Sequence, residues 1–197
     1  MKNSKVQLIK VLKPGLLIRS ERGAILDARS TVTLIQESDY NILVDTSLRR
    51  DREIILKALN EQGLALEDIN IIIYTHCHKD HIGNNKIFRK ARVYGHFACE
   101  RVPNLIKINS FPFALTRNIE IIETPGHSWD SITVLVKFEK IYAITGDAIP
   151  IKGNYDNWIP PIVHVDAELA LESMKQIVQV ADIIIPGHEA PFEIERK

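Results

Sequence analysis

The sequence lacks several features that mark specialised classes of protein. Only two of its 197 residues are cysteines, Cys77 and Cys99, so it offers no disulfide framework of the kind that stabilises small secreted domains. Its 25 basic and 25 acidic residues cancel, which excludes the strongly positive charge of a dedicated nucleic-acid-binding protein. With 45% hydrophobic and 25% charged residues, the composition is that of an ordinary soluble globular protein.

Long hydrophobic runs are also absent. The first ten residues lack the uninterrupted apolar core of a signal peptide, and no run approaches the roughly 20 apolar residues that cross a bilayer. We therefore expect a cytoplasmic protein that makes no contact with a membrane. The length predicts one sizeable domain spanning residues 1–197.

The densest group of reactive side chains follows directly after an apolar run at residues 71–74. The motif reads Thr-His-Cys-His-Lys-Asp-His at residues 75–81. Side chains alternate in an extended segment, so His76 and His78 point to one face and the cysteine between them to the other. A single histidine beside such a run is usually a structural residue. Crowding three histidines and an aspartate together without a cation would be costly, and imidazole and carboxylate are ligands that Zn²⁺ accepts. The motif therefore predicts a metal site.

Three later apolar strands each end at a histidine or aspartate that follows a glycine. These residues are His127, Asp147 and His188. Glycine lets the backbone turn tightly or approach a ligand closely, so each polar side chain can be presented at the end of a sheet. Taken singly, each is more often a turn residue. Together with His76, His78, Asp80 and His81 they give seven candidate ligands, which is enough for two metal ions.

Asp45 follows another buried run, and its position has two interpretations. It could cap the N-terminus of the helix that begins a few residues later. Alternatively, its carboxylate could orient a metal-bound histidine from behind. The residues alone leave both interpretations open.

Hydrophobic periodicity predicts strands that alternate with two long helices. The predicted strands include residues 31–36, 42–45, 69–74, 91–94, 119–124, 132–138, 140–144 and 181–185. The predicted helices are residues 49–62, which end at Gly63, and residues 166–180. We expect residues 103–112 to be irregular and residues 153–161 to form a loop. His96 is expected to be structural.

The joint pattern of these residues resembles the metallo-β-lactamase superfamily over essentially the whole chain. The segments that carry the resemblance are residues 42–46, 74–84 and 185–192. They are most similar to the group around metallo-β-lactamase domain-containing protein 1, and glyoxalase II is a more distant relative. The resemblance implies an α/β fold, namely an αββα sandwich of two mixed β-sheets flanked by helices.

The resemblance also implies a dinuclear centre at one edge of the sheets. By position, the first metal would be held by His76, His78 and His127, and the second by Asp80, His81 and His188. Asp147 would bridge the two metals, and Asp80 would in addition steer the attacking hydroxide. Zinc is the expected metal, with iron or manganese as alternatives. The bridging aspartate and the absence of a cysteine ligand make β-lactam hydrolysis improbable as the main activity.

Such a centre implies a metal-dependent hydrolase in which a hydroxide bridges the two metals and attacks the substrate. Two metals about 3.5–4 Å apart lower the pKa of water towards 7 and polarise the bond under attack. An ester, thioester or lactone is the expected substrate. One alternative is a phosphodiesterase or ribonuclease with the same ligands. The other is a persulfide dioxygenase, which would use one iron held by two histidines and one aspartate and leave the remaining motif residues idle.

The remaining expectations concern the surroundings of the metals. Trp158 and His164 lie after the bridging aspartate and are expected to line the substrate pocket. The segment from Pro14 to Leu26 is expected to act as a flap, as in relatives. Because the chain ends at Lys197, soon after His188, it is not expected to carry the extra helical region with which glyoxalase II holds glutathione. A small-molecule ester or thioester is expected as the partner rather than RNA, and a homodimer is compatible with the sequence.

Overall fold

A computed structural model describes residues 4–195. Residues 1–3 and 196–197, the two ends of the predicted domain, lie outside the described residues. The first three residues of the segment 1–10, which was expected not to be a signal peptide, are among them. The strands are β1 (Val6–Lys13), β2 (Leu16–Arg19), β3 (Ile25–Arg29), β4 (Val32–Glu37), β5 (Asn41–Val44), β6 (Ile71–Ile73), β7 (Arg92–His96), β8 (Ile106–Ile108), β9 (Phe113–Ala114), β10 (Ile119–Glu123), β11 (Ile132–Lys137), β12 (Ile141–Gly146), β13 (Ile183–Pro186) and β14 (Phe192–Glu193). The helices are α1 (Arg52–Glu61), α2 (Lys79–Ile82), α3 (Lys152–Asn157) and α4 (Ala167–Val180), and 3-10 turns occupy Arg49–Asp51, Leu66–Asp68 and Asn85–Ile87.

The strands form two six-stranded mixed sheets and one small hairpin. The first sheet has the order β1-β4-β5-β6-β7-β8, and its strands β5 to β8 run parallel to one another. The second sheet has the order β14-β13-β12-β11-β10-β9, in which only β12 and β13 are parallel. Strands β2 and β3 pair with each other as a separate antiparallel hairpin.

The alternation of side chains along the strands explains why helices cover the outside of the sheets. In β6, Ile71 and Ile73 belong to the hydrophobic cluster between the two sheets, whereas Ile72 packs with Ile55 and Leu59 of α1. All three strand residues are buried, which accounts for a strand that is apolar at every position.

The second sheet repeats this arrangement on its own outer face. Leu135 of β11 and Ile184 of β13 pack with Met174 and Ile177 of α4. The helix begins at Asp166, whose side chain accepts a hydrogen bond from the Leu169 amide at 3.0 Å. The α/β fold is therefore an αββα sandwich of two mixed sheets, and this expectation is confirmed.

Two segments expected to lack regular structure contain short elements. Residues 152–157 form α3 where a loop was predicted, and this helix ends at Trp158 in a left-handed conformation with φ 52°. The buried side chain of Asn154 holds the turn by donating to the carbonyl oxygens of Ile159 and Pro160. Within residues 103–112, β8 adds a three-residue edge strand parallel to β7. Both elements are too short to leave a readable hydrophobic period.

The sequence showed no pattern that suggests a disulfide framework, yet its two cysteines form one disulfide bond. Cys77 and Cys99 are joined, with their Cα atoms 5.8 Å apart. The bond ties the residue between His76 and His78 to the segment after β7. A pairing across 22 residues depends on where the parallel strands β6 and β7 end, so two isolated cysteines in the sequence do not predict it. Across the part of the chain that the structure describes, no helix has both the length and the hydrophobicity required to traverse a lipid bilayer.

Candidate metal centre

All the predicted ligands lie directly after strands that end at the same edge of the sandwich. The 75–81 motif follows β6, His127 follows β10, Asp147 follows β12 and His188 follows β13. Because the ends of neighbouring parallel strands point the same way, β12 and β13 deliver the last two residues side by side. The structure thus brings together seven side chains that are scattered over more than a hundred residues of sequence.

Three histidines form the first group of candidate ligands. Nδ1 of His78 lies 3.1 Å from Nε2 of His76 and 3.0 Å from Nε2 of His127. His76 and His127 are buried, and the ligand atoms of all three lie within 4.8 Å of one another. Three ring nitrogens that converge in this way present lone pairs to a common point, as a metal ion requires.

The second group combines carboxylates with histidines. Oδ2 of Asp80 lies 3.6 Å from Nε2 of His188 and 3.8 Å from Nε2 of His81. Oδ1 of Asp147 lies 3.1 Å from Nε2 of His188 and 3.3 Å from Nε2 of His81. Its Oδ2 lies 3.2 Å from Nε2 of His188 and also 3.5 Å from Nε2 of His127 in the first group. One carboxylate therefore spans both groups.

Backbone carbonyl groups fix which ring nitrogen faces the centre. Nδ1 of His127 donates to the carbonyl oxygen of Val163 at 2.7 Å, and Nδ1 of His188 donates to that of Arg29 at 2.9 Å. Because Nδ1 carries the proton in each case, the neutral ring presents its lone pair at Nε2, on the side of the cluster. Hydrogen bonds of this kind orient metal-ligating histidines in general.

Asp45 performs the same task for His81. Its carboxylate accepts hydrogen bonds from the Thr75 amide at 2.9 Å, the Thr75 hydroxyl at 2.8 Å and Nδ1 of His81 at 2.7 Å. It makes no helix cap, since Leu48 occupies the N-cap of the following 3-10 turn. Of the two interpretations that the sequence left open, the contacts favour the carboxylate that orients a histidine.

The replacement Asp45→Asn tests this contact. An amide at position 45 cannot accept all three hydrogen bonds, so His81 loses its fixed orientation and the preferred proton position. We expect metal affinity to fall about 10–100-fold, measured by competition with a chromophoric chelator. The exposed replacement Asp156→Asn serves as the control, and equal affinity in both variants would remove Asp45 from the account.

The residues present fit a bound metal. Nε2 of His81 and Oδ1 of Asp147 are buried and lie 3.3 Å apart, yet within residues 4–195 neither atom makes a hydrogen bond of acceptable geometry. Leaving such groups unpaired is costly, and a cation between them would satisfy both. The set of five imidazoles and two carboxylates suits zinc and similar divalent ions.

The charges of the cluster differ from one ligand to the next. Burial lowers the pKa of His76 well below its usual value, and the neighbouring His81 lowers it further. Burial also opposes the charged form of His81, yet Asp45 and Asp147 raise its pKa well above the usual value. The pKa of His188 is likewise raised, against its burial, by Asp147. The pKa of Asp147 is held well below its usual range, despite burial, by His188 and His81.

These directions predict that metal binding releases protons. Because the pKa values of His81 and His188 are raised, their metal-free rings bind protons more readily than an ordinary imidazole, and a metal must displace such protons to reach Nε2. Metal affinity should therefore fall as the pH falls. Calorimetric titration with zinc in buffers of different ionisation enthalpy measures the proton release. Uptake of protons, or an affinity that is the same at pH 6 and pH 8, would contradict the prediction.

A cavity of about 150 Å³ opens onto this cluster. The hairpin contributes Leu17, Arg19 and Ile25 to its wall, so the segment expected to be a flap lies over the metal centre as a β-hairpin. The opposite wall includes Ile162 and Val163.

The residues expected to line this cavity are not those that the structure places there. Trp158 and His164 are absent from its wall, although the loop that carries them contributes Pro161 and the two residues after it. His164 is exposed and turns Nδ1 towards the carbonyl oxygen of Pro161 at 2.6 Å. Arg19 was missed by the sequence reasoning because an isolated arginine in a predicted loop carries no signal. Its Nε is buried and lacks a hydrogen-bond partner among the described residues.

His96 lies outside the cluster. It is buried, and its Nε2 lies 2.8 Å from the Glu123 carboxylate while its Nδ1 accepts from the Ala98 amide at 3.1 Å. Both ring nitrogens are therefore occupied, which matches the structural role expected of it.

The two facing mixed sheets and the His/Asp cluster at their edge define an α/β protein with a candidate metal centre. Residues 27–107 match the model of the metallo-beta-lactamase superfamily. A Methanocaldococcus jannaschii protein named as a probable metallo-hydrolase is 44% identical over 186 residues, covering 92% of this chain and 87% of that protein. Metallo-beta-lactamase domain-containing protein 1 of Xenopus laevis is 33% identical, covering 87% of this chain and 76% of that protein.

Among solved structures, a mutant Bacillus thuringiensis protein with N-decanoyl-L-homoserine bound at its active site has the same fold. The TM-score is 0.72 at 21% identity, and the match covers 95% of this chain and 94% of that one. The chain therefore belongs to the metallo-beta-lactamase superfamily. It is a metal-dependent hydrolase of that superfamily, and the family expected from the sequence is confirmed.

Proposed function

We propose that the protein is a dinuclear metallohydrolase that cleaves an ester, thioester or lactone bond in a small, largely apolar substrate. The observation that carries the proposal is the position of Asp147. Its carboxylate contacts both groups of candidate ligands, since Oδ1 lies near His81 and His188 while Oδ2 lies 3.2 Å from His188 and 3.5 Å from His127, as expected of a residue shared by two cations. Zinc is the proposed metal, on the chemistry of the donor set.

The proposed assignment of ligands follows the two groups. His76, His78 and His127 would hold one ion, and Asp80, His81 and His188 the other. When bound, the two ions would supply a water of lowered pKa and polarise the carbonyl oxygen of the substrate. This explains why the chain needs no separate nucleophilic serine or cysteine.

Asp80 has the contacts expected of a residue with a second task. One oxygen lies near His81 and His188, while the side chain remains 20% exposed and lines the cavity. A carboxylate in this position can accept a hydrogen bond from the attacking water and hold it towards the substrate. It can later carry a proton to the departing oxygen or sulfur.

The wall of the cavity supports a substrate with an apolar substituent. Leu17 and Ile25 from the hairpin face Ile162 and Val163 across the opening, so an acyl chain or ring can be buried between them. Among the described residues that line this wall, Arg19 supplies a guanidinium group, which is suited to the carboxylate that ester, thioester or lactone hydrolysis produces. The acylated homoserine in the protein of the same fold supports this by analogy of fold alone.

The wall of the cavity argues against one alternative considered from the sequence, and the ligand cluster argues against the other. A nucleic-acid chain carries one negative charge per nucleotide, and a single arginine can neutralise little of that charge. A mononuclear dioxygenase needs two histidines and one aspartate, which would leave four of the seven clustered side chains without an ion to bind. We therefore keep a small-molecule substrate, handled in the cytoplasm, as the proposal.

One panel of substrates at equal zinc loading tests the proposal. It contains a lactone, a thioester, bis-p-nitrophenyl phosphate and single-stranded RNA, each assayed before chelation, after chelation and after zinc is restored. We expect turnover of the lactone or thioester that chelation abolishes and zinc restores. Turnover confined to the phosphodiester or the RNA would overturn the proposed substrate class, and turnover that survives complete chelation would overturn the metal mechanism.

A further inference from the structure

A second and larger cavity lies away from the metal centre. We call this cavity, of about 870 Å³, the basic groove. It is lined by Arg49 just before α1, by Arg52 at the start of α1 and by residues from three further segments, 66–67, 82–90 and 101–103. It shares no lining residue with the cavity over the metal centre. The inference drawn from it does not depend on the proposed function.

The groove concentrates positive charge in a chain whose net charge is zero. Among the described residues, its lining contains one carboxylate, Glu67, and the following cations: Arg49, Arg52, Lys86, Arg89, Lys90 and Arg101. All six cationic side chains are exposed, and among residues 4–195 none lies within 4.0 Å of a carboxylate oxygen. Some cations outside the groove are paired, as Arg29 is with Asp27 and Asp51.

Unpaired like charges in a concave site repel one another and attract an anion. A cleft lined by one sign of charge focuses the electrostatic field and raises the local concentration of ligands of the opposite sign. Arginine matches the oxygens of a phosphate group with two parallel hydrogen bonds. Four of the six cations are arginines and can each bind a phosphate group in this way. A ligand with several phosphate groups therefore suits the groove better than a ligand with one.

The groove also has an apolar floor. Leu66, Ile82, Ile87 and Val102 line the groove together with the cations and are buried or half-buried. An apolar or planar body can pack on these side chains while its charged groups reach the rim. The volume falls within the roughly 300–1,000 Å³ that is typical of sites for small ligands.

Hydrogen bonds hold the walls in place before any ligand binds. The buried side chain of Asn84 donates to the carbonyl oxygens of Thr46 at 2.8 Å and Leu48 at 2.7 Å, which fixes residues 82–90 against the start of α1. Arg101 donates to the carbonyl oxygen of Cys77 at 3.4 Å. The disulfide anchors the same segment at Cys99. A preformed site loses little free energy to ordering when a ligand enters.

We propose that the basic groove binds a small ligand that joins two or three phosphate groups to a planar or apolar body, that is, a nucleoside polyphosphate. The phosphates would lie among the arginines and lysines of the rim, and the base would lie on the apolar floor. Binding at this site is separate from hydrolysis at the metal centre.

Calorimetry on the zinc-loaded full chain tests the proposal with ADP, ATP, tripolyphosphate, adenosine and a single-stranded oligonucleotide. The groove variant combines Arg52→Glu with Arg89→Glu. The control variant combines Lys57→Glu with Lys175→Glu, which changes the net charge equally at exposed helix positions outside the groove. We expect ADP and ATP to bind, adenosine to bind far more weakly, and the groove variant to lose at least tenfold in affinity. The control variant should bind as the unmodified chain does.

Three results would overturn the proposal. Undiminished ATP affinity in the groove variant would mean that the phosphates bind the metal ions instead. An equal loss in both variants would reduce the effect to net charge. Binding of the oligonucleotide without binding of ADP or ATP would make the groove a surface for nucleic acid. Circular dichroism of both variants checks that each retains the fold.

Discussion

Replacing Asp147 by alanine is expected to remove at least one metal ion per chain and to lower turnover roughly 10³-fold, a loss of about 4 kcal/mol of transition-state stabilisation. The physical reason is the shared carboxylate, whose oxygens lie 3.1 Å from Nε2 of His188 and 3.5 Å from Nε2 of His127. Without it, the two groups of ligands lose the charge that joins them. Elemental analysis and steady-state kinetics on the same preparation measure both effects.

The Asp147→Ala chain should remain folded, because the hydrophobic cluster between the sheets does not include this residue. Asp156→Ala provides the control, since it removes an exposed carboxylate that pairs with the equally exposed Lys152, and such surface pairs contribute little to stability. An Asp147→Ala protein that keeps two metals and full turnover would refute the shared role of this carboxylate.

The second large effect is expected from Gly187→Ala. A Cβ atom at this position would collide with Oδ1 of Asp147 and with the carbonyl oxygen of Gly146 on the neighbouring strand. The backbone cannot move away, because the Gly187 carbonyl accepts a hydrogen bond from the Thr31 amide at 2.7 Å. We expect a loss of about 1–3 kcal/mol in the free energy of unfolding together with displacement of the Asp147 carboxylate.

Thermal unfolding, metal content and turnover together measure the effect of Gly187→Ala. Gly153→Ala is the matched control, because its Cβ would meet only Ile151 Cδ1 at an ordinary 3.7 Å and the position lies within α3. Alanine is favoured over glycine in a helix by about 0.5–1 kcal/mol, so the control should be neutral or slightly stabilising. Normal metal content in Gly187→Ala would show that Asp147 tolerates the added methyl group.

The ligands of the candidate metal centre could be predicted from the sequence because each of them belongs to a short local pattern. An apolar run followed by closely spaced histidines marks the end of β6, and a glycine followed by a histidine or aspartate marks the end of three further strands. Local periodicity likewise predicted α1 and α4, whose apolar faces pack on the sheets. These features need no knowledge of distant contacts.

What the sequence could not predict depends on long-range neighbours. The carbonyl groups of Arg29 and Val163, which orient His188 and His127, belong to residues whose side-chain types are irrelevant to the contact. Arg19 reaches the cavity only because the hairpin folds over the centre. The basic groove collects cations from three separate segments that are unremarkable one at a time, so the neutral overall charge gives no sign of it.

The metal content of the folded chain tests the central claim most directly. The protein is stripped with a chelator, offered zinc, iron or manganese in separate samples, desalted and measured by elemental analysis with a parallel protein assay. We predict two ions per chain for the preferred metal, and hydrolysis that appears as the second ion is bound. One ion at saturation, or a cluster that takes up none of the three metals, would contradict the dinuclear centre on which the proposed hydrolysis depends.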